Sequence, residues 1–283
     1  MDKFLFDIYP TLADKIVEQI ERATQKASQQ FDGMKGDEDT VTGSLFSQLH
    51  DVEGQMPMGV DRFVWRTEYN KLKGRGKGAP ENKYGADGII VVRLFSETDN
   101  KLILSKGLLF QAKIKGNSDQ NLKTQMEKLA SLNTNSVLVE YDKNNFRAVL
   151  EKNVLNANGK MKQISPGDYI DLGTVFGDML LRCQVGKKHL DFDAEQGVLM
   201  DSDPEMMLIA PARVENILEI NIVHREKYVG RHFIEADESV LNKFSREEST
   251  GINRQIRGRL AVRHVGRNRN GVGGNEGEGS FGV

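Results

Sequence analysis

The sequence predicts an α/β fold in which a central mixed β-sheet is flanked by helices, with additional α+β elements towards the C-terminus. Four apolar runs rich in β-branched residues, each bounded by turn-forming residues, indicate strands. They occupy residues 88–95, 102–110, 136–141 and 146–150. Apolar residues at helical spacing occur before these runs and between the second and third of them. Helices interleaved with strands in this way are typical of a sheet covered by helices.

The N-terminal part of the chain predicts two amphipathic helices. Residues 11–30 carry Ile16, Ile20 and Ala23 three or four positions apart. Residues 37–49 begin with acids and continue with apolar side chains at helical spacing. Acids are favoured in the first turn of any helix because they interact with the helix dipole. The acids alone therefore do not identify a site.

A strand is predicted at 63–67, and a basic, glycine-rich loop follows it. The loop carries Lys73, Arg75 and Lys77, which could contact phosphates as a positively charged arm. It is not a Walker A loop, because no Gly-Lys-Ser/Thr sequence follows. A solvated connection between two strands is the alternative interpretation.

Polar residues flank the strand pair 88–95 and 102–110 at one end. Asp87 precedes the first strand, and Gln111 and Lys113 follow the second. Because side chains alternate along a strand, we expect Gln111 and Lys113 to project from the same face. If the two strands are neighbours, a carboxylate, an amide oxygen and an ammonium converge at one edge of a buried sheet. A divalent metal and a phosphate could bind there.

The remaining elements follow this strand pair. A helix is predicted at 119–132 and another at 171–181, and 205–222 predicts a strand that breaks at Pro211 and continues as a strand or short helix. We expect three parts: a core at 1–155, a C-terminal extension packed on it at 156–250, and a basic segment with a disordered Gly/Asn-rich tail at 251–283.

The basic segment near the C-terminus contains no acidic residue, and its arginines include Arg254, Arg257 and Arg259. It could bind a phosphate backbone or an acidic partner, and a solvated helix face is the alternative. The chain has 39 lysine and arginine residues against 41 acidic ones, a net charge of −2. Nucleic-acid binding would therefore depend on local patches of this kind.

The composition indicates a cytoplasmic protein that does not associate with membranes. The single cysteine, Cys183, excludes an intrachain disulfide and a thiolate metal cluster. No apolar run approaches the ~20 residues of a membrane span, and the first residues lack the features of a signal peptide. The five histidines have no zinc-binding spacing.

The sequence Tyr-Gly-Ala-Asp at 84–87, followed by two strands and Gln-Ala-Lys at 111–113, resembles the PD-(D/E)xK, or restriction-endonuclease-like, nuclease superfamily. The glutamine is similar to that of the Mrr-like, anti-phage defence branch. The predicted order helix–strand–strand–strand–helix–strand also matches the core of that superfamily. The resemblance covers roughly the first half of the chain and implies a restriction-endonuclease-like core.

The resemblance implies roles for particular residues. Asp87, Gln111 and a glutamate from an N-terminal helix would hold Mg²⁺ or Mn²⁺, and Lys113 would stabilise the negative charge that develops on the phosphate. Glu38 is our choice for the glutamate, with Asp39 as the alternative, since a shift of one residue turns a helical side chain by about 100°. The implied accessory positions are Gln125, Glu81 and Lys115. A solvated role on its helix is equally open for Gln125.

The resemblance also implies a function: a Mg²⁺-dependent endodeoxyribonuclease, the effector of a bacterial antiviral defence system. Duplex DNA is the implied substrate, with RNA and single strands left open. We expect a regulatory helicase/ATPase or sensor subunit, and a homo-oligomer is left open. Gln111 replaces the usual acid of the motif and removes one negative charge. The alternative is therefore a catalytically inactive nuclease-fold subunit that binds nucleic acid or a partner protein.

Overall fold

A computed structural model describes most of the chain up to residue 225. Every described residue belongs to one compact unit, Met1–His232. The described residues are 5, 9–31, 37–58, 61–72, 84–98, 100–143, 145–201 and 209–225. They confirm the mixed α/β class, with a large curled mixed sheet flanked by helices. The domain boundaries at 155 and 250 stay predictions.

Helix α1, Pro10–Gln30, and helix α2, Glu38–Leu49, are the two predicted N-terminal helices. Proline suits the first turn of α1 because the N–H that it lacks would have no partner there. The Asp37 carboxylate caps α2 by accepting the Thr40 N–H at 2.9 Å. The later helices are α3 Leu122–Ala130, α4 Glu151–Asn156 and α5 Leu172–Thr174, which continues as a π-helix at Val175–Met179. No described helix is long and apolar enough to span a membrane.

The sheet contains eleven strands among the described residues. They are β1 Glu53–Met58, β2 Asp61–Lys71, β3 Tyr84–Ser96, β4 Leu102–Ile114, β5 Val137–Asp142, β6 Asn145–Leu150, β7 Tyr169–Asp171, β8 Lys187–Lys188, β9 Leu190–Asp193, β10 Val198–Asp201 and β11 Ile209–Arg225. Eight of them form a row in the order β1-β2-β11-β3-β4-β5-β6-β7. Within the row, β11 is parallel to β3 and β5 is parallel to β4, and the other neighbours are antiparallel.

Strand β11 lies inside the sheet, between β2 and β3, although it is the last described element of the chain. Its Asn216 is opposite Gly88 of β3 and Lys71 of β2. The strand runs through Pro211, so the predicted break at this residue is wrong. Pro211 pairs with Val198 of β10, whereas pairing with β3 begins only at the next residue. Among the described residues, Pro211 thus has a ladder partner on one edge of β11, and a residue without an N–H is tolerated where the other edge needs no donor.

The sheet separates two apolar cores. One face packs on α1, α2 and α5, and the opposite face packs on α3, α4, β9 and β10. Strand β4 shows the alternation: Phe110 and Ala112 belong to the first core and Leu109 to the second. By the same alternation, Gln111 and Lys113 project on the side of the second core.

Arg93 of β3 holds together the polar part of the second face. Its guanidinium lies 2.7 Å from Glu219 Oε1 and 3.0 Å from Asp191 Oδ2. Burial alone would lower the pKa of Arg93, but the two carboxylates raise it above its usual value. Arg93 is therefore paired with two acidic side chains, which is the condition under which its charge can be buried.

Gly88 is the position at which the β3–β4 packing tolerates no side chain. A Cβ there would lie 2.2 Å from Cζ of Phe110, whose ring is fully buried against Phe46 and Phe176. We expect Gly88→Ala to lower the free energy of unfolding by about 2 kcal/mol, since the Phe110 ring would have to shift against Phe46 and Phe176. Urea unfolding measures the change.

The matched control is Gly167→Ala. The nearest atom to a Cβ at Gly167 is Ser165 Oγ at 3.8 Å, an ordinary contact. The control should change the free energy of unfolding by less than about 0.5 kcal/mol. Equal stability of the two variants would contradict the packing argument.

Candidate functional site at the carboxyl end of strand β4

The carboxylate of Asp87 accepts a backbone hydrogen bond from β4 where the β3–β4 ladder ends. The last residues in register are Gly88 and Phe110. Beyond them, Asp87 Oδ2 accepts the backbone N–H of Ala112 at 2.7 Å. The side chain thereby satisfies a buried donor that the neighbouring strand no longer reaches.

Glu38, the first residue of α2, reaches the same edge of β4. Its Oε1 accepts the Ile114 N–H at 3.4 Å and the Asn117 amide at 2.9 Å. The N–H groups of Ala112 and Ile114 are two residues apart, so they point in the same direction from the strand. The two carboxylates are thus held side by side, and the second oxygen of each lies outside these hydrogen bonds.

Lys113 and Gln111 lie on the strand that the two carboxylates cap. The Lys113 ammonium is close enough for its charge to lower the pKa of both Asp87 and Glu38. Gln111 lies between Phe110, the partner of Gly88, and Ala112, the donor to Asp87, and its side chain is 2% exposed. The structure therefore brings Glu38, Asp87 and Lys113 together and places Gln111 beside Asp87 in the neighbouring strand.

The two carboxyl groups differ in acidity. Burial raises the pKa of Asp87 to about 6, and the negative charges of Glu215 and Glu38 add to the rise, whereas Ala112 and Lys113 oppose it. For Glu38, burial also works to raise the pKa, but the hydrogen bond from Asn117, backbone donors and the Lys113 charge outweigh it and leave the pKa below its usual value. A nearby cation would relieve the crowding of negative charge around Asp87.

Asp39, the alternative to Glu38, is turned away from β4. Its Oδ2 lies 2.6 Å from the Lys71 ammonium, and its Oδ1 accepts the Asn216 amide at 2.8 Å. The same amide donates to the backbone oxygen of Asp87 at 3.1 Å, and Asn216 Oδ1 accepts the Tyr69 hydroxyl at 2.7 Å. The geometry favours Glu38 as the carboxylate of the site and gives Asp39 a place in the network behind it.

A buried hydroxyl chain anchors the first turn of α2 to the sheet. Thr42 Oγ1 donates to the Glu38 backbone oxygen at 2.8 Å and lies 2.8 Å from the Tyr141 hydroxyl. Since the single Thr42 proton goes to Glu38, Tyr141 is the donor to Thr42. Burial raises the pKa of Tyr141, and the charges of Asp87, Asp39 and Glu38 add to the rise. Tyr141 therefore remains protonated and acts only as a donor.

The structure describes two of the three predicted accessory residues, Lys115 and Gln125. Lys115 forms an ion pair with Asp142 at 2.6 Å and its side chain is 54% exposed. Gln125 of α3 is half-buried, and its Oε1 is shielded from solvent with no hydrogen-bond donor among the described residues. The predicted residues that lie outside the described part of the chain are Glu81, Lys73, Arg75, Lys77, Arg254, Arg257 and Arg259.

The sequence reasoning did not find Glu215 and Asn216. Both lie on β11, where Asn216 is opposite Gly88 and Val214 is opposite Ala86, so Glu215 lies beside Asp87. The signal in the sequence is that Glu215 and Asn216 are two adjacent polar residues in a stretch, Val214 to Val223, whose other polar residues stand singly. Such a pair of polar residues indicates a polar position on the strand but does not identify the neighbouring strand.

The donor set suits a hard cation such as Mg²⁺. Among the described residues, no group of three or more His, Cys, Asp and Glu side chains is placed to hold a metal ion. Mg²⁺, however, keeps several waters and binds through one or two carboxylates. Asp87 and Glu38, with the amide oxygen of Gln111, meet that smaller requirement.

Replacing Asp87 by asparagine should stabilise the metal-free protein at neutral pH. The carboxyl pKa is about 6 in the folded chain against an ordinary 3.8. The Asp87 carboxyl therefore makes its full contribution to the free energy of unfolding below pH 3.8, and this contribution is lost as the pH rises through about 6. Asparagine cannot ionise but keeps an oxygen for the Ala112 N–H. We expect the free energy of unfolding of Asp87→Asn to exceed that of the wild type by about 2–3 kcal/mol at neutral pH, as measured by urea unfolding in EDTA. The difference should vanish as the pH falls to the ordinary pKa of an aspartate.

Glu38→Gln is the control with the opposite sign. Because the pKa of Glu38 is lowered from 4.5, its contribution to stability is present above that value and lost as the pH falls. This variant should be less stable than the wild type at neutral pH. Equal stabilisation by both substitutions would contradict the assignment of the two acidities.

Comparison with protein-family models, curated proteins and solved structures gives no match for this chain. The geometry itself is specific: two carboxylates, an ammonium and a buried amide gather where β3 separates from β4. Such a set can hold a divalent cation and neutralise the charge of a phosphate oxygen.

Proposed function

We propose that this chain is a metal-dependent endonuclease of the PD-(D/E)xK type that hydrolyses phosphodiester bonds in DNA. One observation carries the proposal. The carboxylates of Asp87 and Glu38 cap successive N–H groups on one edge of the strand that bears Gln111 and Lys113. Residues that are distant in the sequence therefore lie together in space. A D…QxK match in the sequence alone would not support the proposal.

The order of elements supports a restriction-endonuclease-like core. Strands β3 and β4 form an antiparallel pair, α3 follows them, and β5 returns parallel to β4. Helix α2 supplies Glu38 from the face opposite α3. Strand β11, between β2 and β3, is an addition to the predicted core.

Asp87, Glu38 and Gln111 would hold Mg²⁺ or Mn²⁺. When bound, the cation supplies a water of lowered pKa and neutralises charge on the phosphate. Gln111 contributes no charge, so the acidity of the site depends on Asp87 and Glu38, with Glu215 nearby. Crowded carboxylates of this kind favour a divalent cation over water.

Lys113 acts on the phosphate itself. Its charge acts on both carboxylates, and from the same strand it would orient an attacking water and stabilise the extra negative charge of the pentavalent phosphorus. A metal ion bound by the two carboxylates would compensate their charge, which would leave the Lys113 ammonium to interact with a substrate oxygen.

Duplex DNA is the proposed substrate, and the basic residues outside the described ranges are the proposed backbone contacts. They are Lys73, Arg75, Lys77, Arg254, Arg257 and Arg259. An unregulated nuclease would be toxic, so we propose an effector of anti-phage defence that a helicase/ATPase or sensor subunit restrains or activates.

Lys113→Ala should strongly slow cleavage without unfolding the protein. Removing the ammonium leaves the phosphorane charge without its closest cationic side chain, and we expect a loss of about 10²–10³-fold in rate. The measurement is nicking of supercoiled plasmid with Mg²⁺, with EDTA as the blank.

The matched control is Lys115→Ala, two residues further along. Lys115 is paired with Asp142 and largely exposed, so its loss should change the rate only slightly. Equal nicking by Lys113→Ala and wild type would overturn the proposal. Salt-sensitive DNA binding by a wild-type protein that never cuts would favour the inactive, nucleic-acid-binding subunit instead.

Mg²⁺ should raise the melting temperature of the wild type and not that of Asp87→Asn. A ligand that binds only the folded state stabilises it by about 2.7 kcal/mol at a hundred times its Kd. Thermal unfolding with and without Mg²⁺ measures this shift, and Lys115→Ala should keep it. The same Mg²⁺ shift in Asp87→Asn would place the metal elsewhere.

A further inference from the structure

Asn216 occupies the centre of a polar network behind Asp87. Its side chain is completely buried. Its Nδ2 donates to Asp39 Oδ1 at 2.8 Å and to the Asp87 backbone oxygen at 3.1 Å, and its Oδ1 accepts the Tyr69 hydroxyl at 2.7 Å. These partners lie on α2, β3 and β2, so one amide on β11 joins three other elements.

The orientation of this amide is fixed by its partners. A carboxylate oxygen and a backbone carbonyl can only accept, so both must face the NH₂ group. Exchange of the nitrogen and oxygen of Asn216 would place the amide oxygen against two other oxygens. A buried polar group left in that state costs free energy comparable to a lost hydrogen bond.

The surrounding chain leaves space for this amide and little more. A Cβ on Gly43 of α2 would lie 3.0 Å from the Tyr69 hydroxyl and 4.0 Å from Asn216 Oδ1. The absence of a side chain at Gly43 thus lets α2 approach β2 and β11 closely. A longer residue than asparagine at position 216 would have to displace Tyr69 or Asp39.

We propose that Asn216 is a positioning residue for Asp87. It binds the backbone oxygen of the residue whose carboxylate holds the Ala112 N–H. The ladder between β3 and β4 stops at Gly88, so β4 does not fix the backbone of Asp87 by main-chain pairing. On the other side, β11 pairs with β3 at Ala86 and at Gly88, and the Asn216 amide holds the Asp87 backbone oxygen between these two pairs. The amide thereby helps to set the direction in which the carboxylate points.

The consequence for catalysis rests on the proposed nuclease function, but the positioning does not. A carboxylate that ligates a metal must be held by neighbouring hydrogen bonds to bind with full affinity. Loss of the Asn216 amide should therefore raise the Mg²⁺ concentration needed for half-maximal cleavage. In the metal-free protein, it should loosen the Asp87–Ala112 hydrogen bond.

The test compares Asn216→Ser with Asn221→Ser. Asn221 is a matched control, because it is a buried asparagine on the same strand that lies near Arg93 and not near Asp87. Amide hydrogen exchange of the metal-free proteins is followed at Ala112 and at Leu109. In Asn216→Ser we expect exchange at Ala112 to become about tenfold faster relative to Leu109.

Tyr69→Phe provides a second variant should Asn216→Ser fail to fold. It removes only the hydroxyl that orients the amide, so the exchange ratio should change in the same direction and by less. A ratio in both site variants equal to that of Asn221→Ser would overturn the proposal. The exchange experiment decides the positioning role even if the wild type cuts no DNA, so the two failures are distinguishable.

Discussion

The hydrogen bond from the Ala112 N–H to the Asp87 carboxylate is the contact on which the candidate site depends. It forms where two antiparallel strands separate, so a side chain replaces a backbone acceptor. Glu38 repeats the arrangement at Ile114 from a helix on one face of the sheet. A stretch of β4 that β3 no longer pairs with is thus bound by two fixed carboxylates, and the backbone of β4 sets their separation.

This arrangement makes the ionised form of Asp87 costly in the folded protein. Burial and the charges of Glu215 and Glu38 make ionisation of Asp87 unfavourable. The Lys113 charge and the Ala112 hydrogen bond partly offset this cost of ionising Asp87. The Asn216 amide holds the Asp87 backbone. Crowded acids that are expensive in the empty protein are what a bound cation would stabilise. Stability and ion affinity are therefore opposed at the same side chain.

The sequence predicts those parts of the fold and site that depend on local pattern. Helices α1 and α2, the β3–β4 pair and α3 follow from spacing, and the antiparallel turn places Asp87 beside Gln111. The position of β11 could not be predicted, because a parallel strand inserted between β2 and β3 depends on contacts about 130 residues apart in the chain. For that reason the sequence does not predict the place of Glu215 and Asn216. Nor does it show that β11 continues through Pro211, where the strand pairs with β10.

The late position of β11 in the chain has a consequence for synthesis. Glu38, Asp87 and Asn216 belong to the first, middle and last parts of the described unit, and the network around Asp87 needs all three. A nascent polypeptide that has not yet emerged as far as Asn216 can form the β3–β4 hairpin but lacks the amide that ties Asp87 to α2 and β2. A ribosome-bound or truncated product would therefore carry the motif residues without the assembled network.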